Sequence, residues 1–250
     1  MISIETLFVL FCVGLTAGVV DAIAGGGGLL TFPTLLIAGL SPVQALATNK
    51  IQALASVASS AHRYTQSGAL EKITIRMKLI ASTVGAGLGA LAVSLFDSRL
   101  LTKLAPVMLI GIALFFLFTH SRRYEIRRRL LSENTFALAA ALPIGFYDGF
   151  FGPGTGSIYA TAFVILLARD LTTATGESKI LNTAGSFVAA FVFLWSGAIV
   201  WSAAIAMSTG GILGGQLGAH LAIKFGPSFI RMALVLVSIA LAIHLLAEQL

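Results

Sequence analysis

Ten apolar runs, at residues 2–20, 29–40, 43–61, 79–96, 104–119, 134–151, 156–168, 172–195, 202–222 and 232–248, are separated only by short connections. No single soluble core buries ten such runs, whereas a bilayer takes a stretch of about 20 apolar residues as one crossing. Composition agrees. Of the 250 residues 57% are hydrophobic and 10% charged, with mean hydropathy +0.96, against about 25% charged in a soluble domain. The expectation is an all-α, polytopic membrane protein with 8–10 membrane segments in one transport domain spanning 1–250. The excess of 16 Lys+Arg over 10 Asp+Glu lies in a few short loops, which is the positive-inside pattern and not a nucleic-acid-binding face. MISIETLFVL has neither a basic leader region nor a small-residue cleavage site after it, so it reads as a retained first helix.

The runs 29–40 and 156–168 are too short for a full crossing, and each follows a glycine-rich break, GGGG at 25–28 and GPGTG at 152–156. Sliding residues 45–90 forward by 129 positions matches Ala45, Lys50, Ile51, Ala55, Ala61, Ser67, Gly68, Ala69, Gly85, Leu88, Gly89 and Ala90 to the same residue types. Those twelve identities compare with about four expected by chance, which argues for duplication. The repeats are 1–120 and 134–250, joined by a basic linker at 121–133. Asp21 and Asp148 are 127 apart while Lys50 and Lys179 are 129 apart, which places a two-residue insertion in the second break. HSRRYEIRRR at 120–129 carries five arginines, and the stretch from His62 to Lys78 carries Arg63, Lys72, Arg76 and Lys78. Both are expected on the cytoplasmic side. The equivalent of the second stretch, 191–207, has no charge, so it is expected to face the other way and the repeats to be inverted.

Non-helical backbone cannot face lipid, so two matching glycine breaks, each leading into a broken or re-entrant helix, mark a protected centre or a cavity. The helix after each break aims free N–H groups back at the glycines, and glycine lets an anion approach them. Gly25, Gly26, Gly27 and Gly28, with Thr31, and Gly152, Gly154, Thr155, Gly156 and Ser157 are therefore candidate substrate-binding residues. The alternative is that the glycines only permit close helix packing and the hydroxyls only cap. ATNKIQ at 47–52 and GESKIL at 176–181 each place a lysine inside an apolar segment, where an ionisable residue is by default a functional candidate. Thr48, Asn49, Lys50, Gln52, Ser178, Lys179 and Asn182 join the list on that ground. The rival readings are lysines that snorkel, or Lys179 paired with Glu177 or Asp148. Asp21, Asp148 and Glu177 are candidates for proton coupling, because a carboxylate beside an anion site is protonated, paired or part of a relay. Gly85, Gly87, Gly89, Gly210, Gly211, Gly214, Gly215 and Gly218 follow small-xxx-small spacing and read as helix-packing faces.

DAIAGGGGLLTFPTLLIAGLSPVQALATNK, with its degenerate copy DGFFGPGTGSIYATAFVILLARDLTTATGESK, resembles the sulfite exporter TauE/SafE family, also called the 4-toluene sulfonate uptake permease family, over nearly the whole chain. The resemblance implies a secondary transporter in a bacterial plasma (inner) membrane that moves sulfite, sulfonate or sulfoacetate-type anions. An anion channel is the rival function. The expected partners are a small anion and the lipid bilayer, with no nucleic acid; a homodimer is left open. With one cysteine, Cys12, and four scattered histidines, no metal or cofactor is expected. Without a nucleophile–base pair or a G-x-x-x-x-G-K motif followed by Ser or Thr, neither an enzyme nor an ATPase is expected.

Overall fold

The structure, a computed structural model, describes residues 2–68, 70, 74–96, 98–120 and 128–247. Residues 121–127 of the basic linker, and Lys72, on which part of the expected sidedness rests, lie outside the described residues. Among the described residues the secondary structure is all helical: α1 (Ile4–Ala24), α2 (Gly28–Ile37), α3 (Pro42–Gln66), α4 (Arg76–Ser94), α5 (Ser98–His120), α6 (Glu133–Phe136), a π-helical turn (Ala137–Ala141), α7 (Leu142–Phe150), α8 (Thr155–Leu167), α9 (Leu171–Ser196) and α10 (Trp201–Ala247). At Gly226, where φ is +70°, α10 breaks into two helices. Among the described residues α1, α4 and α9 are long and apolar enough to cross a membrane, while α2 and α8 are shorter apolar helices of 10 and 13 residues.

Several helix starts away from the centre are capped by side chains. Ser3 accepts from Thr6 N–H, Ser41 and Gln44 form a capping box with Pro42 at the first position of α3, and Asp170 accepts from Thr173 N–H. Such caps satisfy amides that a helix start leaves unpaired.

The helices form two bundles, α1, α2, α3 and the first part of α10 in one, and α4, α6, α7, α8 and α9 in the other. Small residues set the spacing. A Cβ at Gly210, Gly214 or Gly218 would overlap the backbone of Phe11, Leu15 or Val19, and one at Gly85 or Gly89 would overlap Leu142 or Phe146. These contacts correspond. Adding 127 to the α1 residue and subtracting 129 from the α10 residue turns Leu15–Gly214 into Leu142–Gly85, and Val19–Gly218 into Phe146–Gly89. Close backbone approach of this kind replaces the hydrophobic drive that lipid does not supply. Gly87 differs from its neighbours, since a Cβ there would meet only Val188, at 3.2 Å.

The bundles meet chiefly along α3 and α9, which run antiparallel. Val200 N–H, just past α9, donates to Thr48 Oγ1 near the start of α3 at 3.1 Å, while Gly176 near the start of α9 lies against the ring of Tyr64 near the end of α3. Both helices bury polar residues here: Thr48, Asn49, Lys50, Gln52 and Ser56 on one, Glu177, Ser178, Lys179, Asn182 and Ser186 on the other. Polar side chains in a membrane protein gather where protein, not lipid, surrounds them.

Candidate functional site

The two glycine breaks pack on each other at the junction of the bundles. α1 ends at Gly25, whose φ of +77° suits glycine and whose N–H donates to Asp21 O at 2.7 Å. A Cβ at Gly25 would overlap Gly156 and Ser157, one at Gly28 would lie 2.8 Å from Pro153 Cα, and the Ser157 hydroxyl donates to Ala24 O. No side chain caps α2 or α8. At Gly27, the N-cap of α2, the reason is steric, because a Cβ would lie 2.7 Å from both Ala17 O and Asp21 Cβ. The nearby hydroxyls leave the N–H groups alone. Thr155 donates to Gly152 O at 2.6 Å, and Thr31 bonds Asn49 Oδ1 and Gly27 O.

Each lysine is tied to the opposite bundle. Lys50 Nζ bonds Asp148 through its backbone oxygen and, at 3.0 Å, through Oδ1; Lys179 Nζ bonds Asp21 through its backbone oxygen and, at 3.0 Å, through Oδ2. The aspartates lie in the last turns of α7 and α1, so each ammonium also satisfies a carbonyl at the negative end of a broken helix. Lys50 and Lys179 are 2% and 0% exposed, which rules out snorkelling. Lys179 meets neither Glu177 nor Asp148, the partners considered from sequence. The two pairs sum to zero charge, not to the open positive field that unpaired lysines would make.

Glu177 belongs to a different cluster. Its carboxylate bonds Lys78 and lies 3.5 Å from Arg169 Nε, while Lys78 and Arg169 both reach Glu133, which also meets Arg129 at 3.2 Å. Lys78 reads from sequence as a loop charge, yet it is buried, the third residue of α4. Its ammonium lies over the Phe163 ring, 5.4 Å from the centroid. The residues that match Glu177 and Lys78 under the 129-residue offset are Thr48 and Met207.

Between the bundles lies a recess. Asp21, Gly25, Gly27 and Gly28 line it from the first break, Asp148, Gly152, Gly154 and Thr155 from the second, Asn182 from α9, and Asn49, Lys50, Gln52, Ala53, Ser56 and Val57 from α3. Counted as space open to the centre of a water molecule, it measures about 20 Å³, room for a water or two. The other expected residues stand behind this lining. Gly26 O accepts from Leu29 N–H, Ser178 donates to Thr175 O, and Thr31, Thr48, Gly156, Ser157 and Lys179 make the contacts already described. Ser56 is the polar lining residue that sequence reasoning missed. Its Oγ is buried without a hydrogen-bond partner, and it lies on the face of α3 that Asn49 and Gln52 define by three- and four-residue spacing.

Paired ions, helix starts without side-chain caps and unpaired polar groups around a recess, at the crossing of broken helices in a helical membrane protein, are features of the membrane-transporter class. The chain belongs to the sulfite exporter TauE/SafE family, whose model matches residues 10–245. A probable membrane transporter protein of Haemophilus influenzae is 39% identical over 248 residues, covering 99% of this chain and 97% of the relative. The probable membrane transporter protein YfcA of Escherichia coli K12 is 38% identical over 249 residues, with coverage of 100% and 93%, and the probable membrane transporter protein ORF9 of a Sinorhizobium species is 41% identical, with coverage of 99% and 95%. No solved structure matches the chain.

Proposed function

We propose that this chain is a multi-pass protein of the bacterial plasma (inner) membrane that moves a small, sulfur-containing anion of the sulfite, sulfonate or sulfoacetate class by secondary alternating access. The observation that carries the proposal is the convergence at one recess of two uncapped helix starts, the Lys50 ammonium, and the side chains of Asn49, Gln52 and Ser56. Such donors suit an oxyanion. The family name supplies the sulfur chemistry. The matching α1–α10 and α4–α7 contacts and the antiparallel α3 and α9 support two inverted halves, the architecture in which rocking one bundle on the other exposes a central site to alternate sides. A recess sized for water has to widen before an oxyanion enters, and α3 against α9 is the seam at which that would happen. Among the carboxylates expected as proton sites, Asp21 and Asp148 line the recess and Glu177 does not.

The test is a binding and flux screen of sulfite, sulfate, thiosulfate, sulfoacetate and chloride on purified protein and in proteoliposomes. The reading expects saturable binding and saturable flux of a sulfur oxyanion, both weakened several-fold by Gln52→Leu. Flux that fails to saturate and far exceeds transporter rates would identify a channel, and binding of none of the five would remove the site.

A further inference from the structure

Asp21 and Asp148 occupy matching places, one in the last turn of each broken helix, but their carboxylates are held differently. Both oxygens of Asp21 are engaged, Oδ2 by Lys179 at 3.0 Å and Oδ1 by Gly27 N–H at 3.3 Å. Only one oxygen of Asp148 is. Lys50 holds Oδ1 at 3.0 Å, while Oδ2 is buried with no hydrogen-bond partner and lies against Gly185 of α9, where any side chain would strike it. The first-half match of Gly185 under the 129-residue offset is Ser56, so the first half carries a side chain at the position where the second has none.

From this geometry we propose that Asp148, and not Asp21, takes up one proton for each anion bound, and that the site therefore selects singly charged oxyanions, which narrows the classes above to hydrogensulfite and simple sulfonates and leaves out the doubly charged sulfoacetate. The inference rests on the transport reading above. A proton from water joins Asp148 Oδ2 where no donor competes for the oxygen, whereas either oxygen of Asp21 already accepts a bond that the added proton would weaken. The carboxylate becomes a carboxylic acid, and the Lys50 ammonium, now without its counter-charge, bonds the anion. No other bond changes. The Lys50–Asp148 pair carries zero net charge before the step; a monoanion and a proton leave it at zero, but a dianion and a proton leave one uncompensated negative charge in the buried centre, which is costly.

The groups around Asp148 permit the exchange. Besides Lys50 from α3, the titratable groups facing it are Asp21 from α1, itself held by Lys179 of α9, Tyr159 from α8 and Tyr147 from its own helix. The Tyr147 hydroxyl donates to Pro153 O and that of Tyr159 meets Ser82 and Ala141 O. Neither donates to Oδ2, and the Thr155 hydroxyl, which stands beside the carboxylate, donates to Gly152 O at 2.6 Å instead. Ala86 of α4 and Gly185 of α9 bring no titratable group.

The probes are methanesulfonate and sulfate, alike in shape at the sulfur but carrying one and two charges. Titration calorimetry in buffers of different ionisation enthalpy gives the protons taken up per bound anion. The wild type is expected to bind methanesulfonate with one proton and to bind sulfate at least about tenfold more weakly; Asp148→Asn binds with none, while Asp21→Asn, weakened by the loss of the Lys179 pair, still takes up one proton for each anion it binds. In the wild type alone, infrared difference spectra should gain a protonated-carboxyl band on addition of methanesulfonate, a readout that survives if Asp148→Asn does not fold. Proton-free binding by the wild type, no new carboxyl band, proton uptake retained in Asp148→Asn, or sulfate bound as tightly as methanesulfonate would each overturn the assignment. If methanesulfonate binds without a proton the transport reading stands and only this step is lost; if no sulfur oxyanion binds, both are.

Discussion

The bundle built on α1, α3 and α10 and the bundle built on α4, α7 and α9 share their glycine contacts position by position but not their chemistry. In the first, Thr48 donates no charge and accepts Val200 N–H, and Met207 packs on Gly14. In the second, the matching Glu177 and Lys78 form the heart of a buried ion cluster with Glu133 and Arg169. The recess shows the reverse bias, running along α3 past Gln52 and Ser56, with Asn182 its lining residue from α9. Backbone approach is demanding in both bundles, so it holds the glycines in place. Polar side chains are free to diverge once the backbones fit. The first bundle holds most of the recess's hydrogen-bonding side chains, and the second holds the bolts.

Removing one partner of a buried pair should have the largest effect. Lys78→Met leaves Glu177 with Arg169 alone, and should cost about 3–5 kcal/mol, read as a fall in melting temperature of the purified protein. Lys78→Met combined with Glu177→Thr installs the residues of the first bundle and should recover most of the loss. A double variant no better than the single would mean that the two positions are not interchangeable between bundles. Lys50→Met should cost a similar amount, and adding Asp148→Asn should restore folding but not anion binding; restored binding would remove Lys50 from the site.

Smaller effects sharpen the match of the packing faces. Gly85→Ala and Gly214→Ala insert a methyl into corresponding backbone contacts, so each should lower stability by about 1–3 kcal/mol. A loss confined to one would break the correspondence. Gly87→Ala, with only Val188 to displace, should cost less than either. Ser56→Ala should have the smallest effect on stability, within about 1 kcal/mol, because its hydroxyl has no partner to lose. Its effect belongs on affinity, where a several-fold weakening is expected and an unchanged constant would take Ser56 out of the anion's reach.

Much of this fold is visible in the residues themselves. The ten apolar runs correspond to the described helices with boundaries shifted by a few residues, since apolar length and glycine interruption are local properties. The longest-range facts are not local. Spacing places Glu177 two residues from Lys179, but on a helix such neighbours face apart, and the partner of Glu177 is Lys78, 99 residues away. The burial of Lys78 was hidden by a run of basic neighbours that reads as a solvated loop. The crossed lysine–aspartate pairs were also out of reach, because two matching acids and two matching bases allow more than one pairing. Ser56 could have been found by continuing the helical face that starts at Asn49.

The crossed pairs also bear on how the protein is made. Lys50, Lys78 and Asp21 meet partners that lie 98, 99 and 158 residues further along the chain. When the first half leaves the ribosome, those three charges have no counter-ion yet synthesised, and burying an unmatched charge in lipid is unfavourable. The early helices therefore cannot reach their final arrangement until the late ones arrive. The centre of the molecule closes last, after Lys179 has been translated, and a nascent chain halted short of that residue would present Asp21 unmatched to the machinery that inserts it.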